Sequence, residues 1–371
     1  MIFLSIIAFI VIFSVLILVH EWGHFAAARR SGIQVEEFGI GLPPRAKTLF
    51  KDKKGTVYSI NWIPFGGFVR LRGEDNTDPA VAKDPKSFAG KTLLQRSGVI
   101  LAGVGMNFIL AWLLLSIGFM IGMKPLLVNQ QEFEEGIKQG IVQEKGASMF
   151  IQQILKEGAA QAGGLKQGDA VTEINGTPLT TLEAFKSIIK PETIYDFTIL
   201  RGKETLDLKI KTNPAGKMGF EFVLAPLYEV KELRLPFYVA PVAAAKEVAR
   251  LSFLTVKMFG NMIVNLIGKL TVPEGVSGPV GIARMTYYFT QQGLVPLMQF
   301  AAVLSISLGV INVMPFPALD GGRFLFIIFE MIARRRANAR WEVIIHSIGF
   351  VLLMTLILVI TWNDIAQLIN P

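Results

Sequence analysis

The sequence predicts a polytopic α-helical membrane protein with four transmembrane helices, a membrane-associated β-hairpin loop and an inserted α+β domain. Three observations carry that prediction. Hydrophobic residues make up 51% of the 371 and charged ones 18%, a balance more apolar than a soluble chain needs. Four stretches are long and apolar enough to cross a bilayer: about Ile2 to Ala28, Gly98 to Met123, Leu294 to Met314 and Val343 to Trp362. Between the second and third, from about Ser148 to Thr212, the composition becomes that of a soluble globular domain.

The first span begins with nineteen residues, Met1 to Val19, that carry no charged side chain. It has no Lys or Arg before it and no small-residue cleavage pattern, and its apolar run exceeds a usual signal-peptide core, so it reads as a retained helix over residues 1–28. It closes on His20-Glu21-Trp22-Gly23-His24. Helical repeat puts His20 and His24 one turn apart on one face, where both imidazoles can reach a single metal ion. Glu21 sits beside them with a carboxylate able to take a proton from water activated by that metal, without itself being a ligand. Ionisable groups in a bilayer cost roughly 2.5–3.5 kcal/mol each, so three within five residues of a spanning helix suggest a function. The plainer account, two histidines at the interface, predicts no third ligand elsewhere.

An even number of spans puts both termini on one side. The loop over residues 29–97 and the short one after the third span carry the arginine and lysine excess. Phe25 to Ser97 holds thirteen Lys/Arg against seven Asp/Glu, and Arg323, Arg334, Arg335, Arg336 and Arg340 lie together. Both loops are therefore assigned to the cytoplasm, and the termini with the long segment between spans two and three to the outside. The net charge of +8 is explained by this topology, and no basic helix or aromatic-interleaved basic tract points to nucleic acid. With no cysteine in the chain, any zinc ligands must be nitrogen and oxygen.

Within the first loop, residues 55–73 predict a hairpin. Tyr58, Ile60 and Trp62 alternate with Ser59 and Asn61, and Pro64-Phe65-Gly66-Gly67 reads as a turn before a second short strand. Trp62, Ile63, Phe65 and Phe68 are too apolar for a solvated tip, so the hairpin is expected to dip toward the membrane, with an edge available to an extended substrate segment. The second span, residues 98–123, contains Gly98, Gly103 and Gly105, for which close helix packing is a sufficient account. Asn107 in the same span needs a polar partner.

The domain over residues 124–230, with its core at 148–212, combines a strand at Met149 to Leu155, a short helical piece after Gly158, a Gly-Asp turn and an Asn-Gly turn. A short helix at Thr181 to Ile189 and a hairpin across Arg201-Gly202-Lys203 complete it. Leu165-Lys-Gln-Gly-Asp-Ala-Val-Thr-Glu-Ile-Asn-Gly176 resembles the corresponding string of a PDZ domain, which implies a module that captures peptide by strand addition. No role is readable for residues 130–147. The connector over residues 231–293 carries an amphipathic helix, Pro236 to Leu270, suited either to the outer membrane surface or to packing on that domain.

The third span, residues 294–322, ends in Asn312-Val-Met-Pro-Phe-Pro-Ala-Leu-Asp320-Gly-Gly-Arg. Its two prolines break the helix and leave Asp320 in an irregular segment at membrane depth. His24 and Asp320 each precede the arginines that mark the cytoplasmic boundary, on spans that run in the same direction, so they lie at similar depth. His20, His24 and Asp320 then make an N,N,O site with one open position, the layout of a catalytic zinc centre. A helix cap is the competing role for Asp320. His346, at the start of the fourth span over residues 343–362, reads as interfacial.

The His-Glu-x-x-His motif, Gly103 to Asn107, the PDZ-like domain and Asn312-x-x-Pro-x-Pro-x-Leu-Asp320-Gly together resemble the site-2 protease family of intramembrane metalloproteases. The RseP/RasP-type bacterial branch is the nearest in pattern. The resemblance implies zinc held by His20, His24 and Asp320, Glu21 as the catalytic base, and a substrate-holding role for Asn312. It implies a multi-pass protein of the bacterial cytoplasmic membrane that cleaves single-span membrane proteins, such as anti-sigma factors or signal-peptide remnants, after another protease has trimmed them. Two other classes fit less of the sequence. A metal transporter has no use for Glu21 and shows repeated ligand-bearing halves absent here, and a membrane-anchored PDZ scaffold with a non-catalytic metal site leaves the four intact catalytic positions without purpose.

Overall fold

The computed structural model describes residues 2–74, 80–81, 84–155, 158–178, 185, 188–201, 204–214, 217–269 and 278–369. It divides into two compact units, Met1–Met123 with Arg234–Pro371, and Lys124–Leu233. Four helices are long and apolar enough to span a membrane, at Ile6–Arg30, Leu93–Ile121, Leu294–Val313 and Arg340–Ala366. Their Ile-, Val- and Phe-rich sequences are modest helix formers in water, but a bilayer tolerates only a backbone whose hydrogen bonds are satisfied internally.

The first unit opens with α1 (Ile2–Arg30), β1 (Val35–Lys51), β2 (Val57–Leu71) and α2 (Leu93–Ile121). Residues 57–71 form one strand where the sequence suggested two, and their partner is β1, which the sequence reading left without structure. Residues 37–40 of β1 pair with both 57–60 and 67–70 of β2, while 45–51 pair with 57–61. The expected turn at Pro64-Phe65-Gly66-Gly67 is where β2 passes from one side of β1 to the other. That bend packs on the middle of α1: the Phe65 ring lies 5.9 Å from Phe9 and 5.2 Å from Phe13, and the Gly66 N–H donates to Ser14 Oγ at 3.3 Å.

Buried Glu37 ties the sheet together. Its carboxylate accepts from Arg45 Nε at 2.8 Å and Ser59 Oγ at 2.7 Å. Burial pushes this carboxyl up, but hydrogen bonds from Arg45 and Ser59 and the charges of Arg45 and Arg70 outweigh it and hold the group below its ordinary value. Phe25, Phe38, Val99 and Ile327 share an apolar cluster that joins α1 to the sheet and to α2. α2 starts five residues before the expected span, at a capping box in which the Thr92 side chain accepts from Gln95 N and the Gln95 side chain from Thr92 N.

The second unit contains α3 (Gln130–Lys138), β3 (Val142–Ile154), α4 (Ala159–Ala162), β4 (Ala170–Ile174), β5 (Thr177–Pro178), β6 (Ile194–Arg201), β7 (Glu204–Lys211) and β8 (Phe220–Val230). Its sheet has the order β7-β6-β4-β3-β8, with neighbours antiparallel and β5 paired to β4. Met149, Val171, Ile174, Phe197, Ile199 and Ile210 fill its core. The Gly-Asp turn is locked by Arg201, whose Nε and Nη2 donate to the two oxygens of buried Asp169 at 2.8 Å each. β3 and β8 extend the sheet beyond the expected 148–212 core. Part of the 130–147 stretch is α3, capped by the Asn129 side chain. The helix expected at 181–189 lies outside the described residues except for 185, 188 and 189, as does the turn at 202–203.

The chain returns to the first unit through α5 (Ala240–Lys269), α6 (Pro279–Gln292), α7 (Leu294–Val313), α8 (Asp320–Ala333) and α9 (Ala339–Ile369). Within this unit α5 packs against α2 and α7, and Trp112 Nε1–H donates to Pro241 O at 2.8 Å. Residues 270–277 of the connector lie outside the described residues. The third span ends at Val313, beside the Met314 expected for its apolar run, and Pro315 and Pro317 break the helix as expected because they lack the donors a continuous helix requires; Asp320, expected in an irregular segment, instead starts a new helix.

Candidate active site and metal centre

α1 carries His20, Glu21 and His24 into the space between α2, β2 and the start of α8. The approach of α2 depends on absent side chains. A Cβ at Gly23 would lie 2.3 Å from Ala102 O, and one at Gly103 would lie 2.4 Å from His24 Nε2. Gly103 is thus part of the site wall, where the sequence reading gave it only a general packing role. His24 Nδ1–H donates to Val99 O at 2.9 Å, which leaves the Nε2 lone pair facing the site.

Asp320 arrives from the other end of the unit. The segment 314–319 folds between the two helices, with Ala318 at φ +78°. Its Ala318 N–H donates to His346 Nδ1 at 2.9 Å, so His346, expected at the interface, instead secures this loop. α8 is further fixed by the buried Arg96–Glu330 pair, Nη1 to Oε2 at 2.5 Å, and by the Arg323–Glu74 ion pair. The N-cap of α8 is Leu319 and no side chain caps it, so Asp320 does not play the capping role.

The Asp320 carboxylate turns to the histidines. Its Oδ2 lies 3.0 Å from His20 Nε2 and 3.2 Å from His24 Nε2, and the two Nε2 atoms lie 3.1 Å apart. These three are a group able to hold a metal ion. A tetrahedral zinc with N and O bonds of about 2.0 Å requires donor separations of roughly 3.3 Å, close to this triangle. Asp320 Oδ2 is also buried without a hydrogen-bond partner, as expected of an atom whose lone pair is reserved for a cation. The donor set therefore fits zinc in chemistry and spacing.

Glu21 stands outside the triangle, and its Oε2 accepts from the Val69 N–H of β2 at 3.0 Å. A cavity of about 360 Å³ opens on His20, Glu21, His24 and Asp320, with Phe68, Val69 and Asn312 among its walls. All five candidate residues named from the sequence line this one cavity. Val69 and Val99 had no signal in the sequence, and Gly103 and His346 had none for the contacts they make. A backbone donor or acceptor carries no residue-type signal, although the Gly103 to Asn107 spacing was visible.

Peptidase family M50 matches residues 8–356 of the chain. Among curated relatives, the zinc metalloprotease RasP of Geobacillus kaustophilus is 30% identical over 444 aligned residues, covering 98% of this chain and 98% of its own. The regulator of sigma-W protease RasP of Bacillus subtilis is 30% identical over 449, covering 98% and 99%. The chain belongs to peptidase family M50, the site-2 protease family.

Proposed function

We propose that the protein is an intramembrane zinc metalloprotease in which His20, His24 and Asp320 hold the metal, Glu21 is the catalytic base, and the substrates are membrane-spanning segments of single-span proteins. The observation that carries the reading is the convergence of three buried donor atoms at 3.0–3.2 Å beside a carboxylate that is not one of them.

A bound Zn²⁺ supplies Lewis-acid polarisation of the scissile carbonyl and acidifies water to a pKa of about 7. Glu21 accepts the proton of the attacking water and delivers it to the leaving amine. Val69 N–H holds one Glu21 oxygen and leaves the other for this transfer. Val99 O and the Asp320 loop fix the donors so that little reorganisation accompanies the reaction.

A helical substrate hides its peptide bonds, so it must be drawn out before attack. Residues 67–71 are an edge of the β1–β2 sheet, and Phe68 and Val69 line the cavity together with Asn312; this edge replaces the 57–63 stretch, whose residues 57–60 are paired on both sides, as the segment that pairs with extended substrate, while Val69 N–H stays with Glu21. The chain contains no cysteine, so a single Cys at Phe68 is a clean probe. In an inactive Glu21→Gln background it is expected to crosslink to every second cysteine of a scanned substrate. A repeat of three to four residues would mean the substrate stays helical and would overturn this part.

The remaining assignments follow charge and composition. The protein lies in the bacterial inner membrane with both termini and the 124–233 unit outside and the site near the cytoplasmic face. That unit is a PDZ-like module that captures peptide or excludes substrates not yet trimmed by another protease. The test of the central reading is zinc content and cleavage in reconstituted vesicles. Wild type is expected to hold about one zinc per chain and to lose cleavage to a chelator reversibly, while Asp320→Ala loses both. Cleavage that persists without zinc would overturn it, and a scaffold or transporter would show none at any zinc level.

A further inference from the structure

Asn107 lies on α2 one turn beyond Gly103 and is 0% exposed. Its Nδ2 lies 3.1 Å from His20 Nδ1, and its Oδ1 is buried with no hydrogen-bond partner. An amide oxygen orphaned in this way carries a desolvation penalty of about 1–3 kcal/mol, so its burial calls for a use of that oxygen. The turn that carries Asn107 is fixed from behind, because Ser305 Oγ of α7 donates to the Asn107 main-chain carbonyl at 2.8 Å.

The two histidines differ in what backs them. Val99 O, behind His24, can only accept, so it holds the His24 proton on Nδ1 and leaves Nε2 to ligate. His20 also turns its Nε2 to the Asp320 carboxylate, at 3.0 Å. Ligation through that atom leaves the His20 proton on Nδ1, and the side chain in reach of it is the Asn107 amide. A half-turn about the Asn107 Cβ–Cγ bond exchanges two ends of nearly equal size and brings Oδ1 to His20 Nδ1 as an acceptor.

We infer that Asn107 is a positioning residue of the metal centre: its amide oxygen accepts from His20 Nδ1–H and so holds the His20 ring with Nε2 turned to the zinc. An amide can meet either His20 tautomer, and a hydrocarbon of the same size can meet neither. The inference rests on the zinc reading of the site and adds to it the group that orients one ligand.

The test measures zinc dissociation constants of the purified full-length protein by competition with a chromophoric chelator. Asn107→Leu and Asn107→Ala are expected to weaken zinc about 10- to 100-fold. Asn107→Asp keeps an acceptor toward His20 and is expected to stay within a few-fold of wild type. Gly105→Ala changes the same helix at a position where a Cβ would meet nothing within 4 Å, and it is expected to bind as wild type does. Helical circular dichroism identifies the folded variants, and Asn107→Asp against Asn107→Ala decides the matter if the leucine variant does not fold. Equal zinc affinity in Asn107→Ala and wild type, equal weakening in Asn107→Asp and Asn107→Ala, or equal weakening in Gly105→Ala overturns the positioning role while the zinc reading stands. A wild type that binds no zinc overturns both.

Discussion

Glu21→Gln is expected to lower kcat for cleavage of a reconstituted membrane substrate by about 10³-fold while zinc stays bound at the wild-type stoichiometry. General-base catalysis supplies about 10²–10⁴-fold, and an amide oxygen cannot take the proton from water at neutral pH. The separation of the two readouts follows from geometry. The donor triangle is made by His20, His24 and Asp320 alone, so removing the Glu21 charge leaves the donors intact. A glutamine oxygen also keeps the hydrogen bond from Val69 N–H, which preserves the contact between α1 and β2. KM is therefore expected to change little. Zinc loss in this variant would make Glu21 a ligand, and retained turnover would remove it from the chemistry.

The parts of the protein that were legible in the sequence are those where one residue type has one physical meaning. Apolar runs of bilayer length became α1, α2, α7 and α9. Two histidines at helical spacing and an aspartate after a proline-broken helix met in one cavity, because matching depth and direction already limited where they could be. The start of α2 was also legible: Thr92 to Gln95 is a capping-box pattern, but hydropathy alone placed the span at Gly98.

What escaped the sequence depends on partners far along the chain. Val35–Lys51 contains Gly39, Gly41 and Pro43-Pro44, which read locally as breakers, and it becomes a strand only because both halves of β2 pair with it. Val69 serves Glu21 through its N–H, a group every residue but proline possesses. His346 meets the Asp320 loop because α9 passes beside it, with Gly349 set against Pro317 and the His346 ring 5.7 Å from that of Phe326, contacts that no local pattern encodes.

Gly103→Ala is expected to weaken zinc binding by at least about 100-fold and to remove activity, while helical content stays near wild type. Gly98, Gly103 and Gly105 of α2 look alike in the sequence and differ in what surrounds them. A Cβ at Gly98 or Gly105 would meet nothing within 4 Å, whereas one at Gly103 would lie 2.4 Å from His24 Nε2, 2.5 Å from Cε1 and 2.9 Å from Cδ2. Those contacts are far inside van der Waals distance, so something must move. The helices cannot part cheaply here, since Gly23 of α1 is as tightly set against Ala102 and Gly103. The His24 ring is the freer element, but it can yield only by leaving Val99 O and turning its Nε2 out of the donor triangle. Loss of a first ligand exceeds the 10- to 100-fold cost typical of losing a ligand's supporting hydrogen bond, which sets the lower bound of the expected effect. Gly98→Ala and Gly105→Ala are the matched controls. Each adds the same methyl group to the same helix and is expected to leave zinc binding unchanged, with a helix-propensity gain of up to about 1 kcal/mol. If all three variants bind zinc equally, Gly103 serves helix packing alone; if only Gly103→Ala loses it, the absent side chain at that position is what gives His24 room to hold the metal.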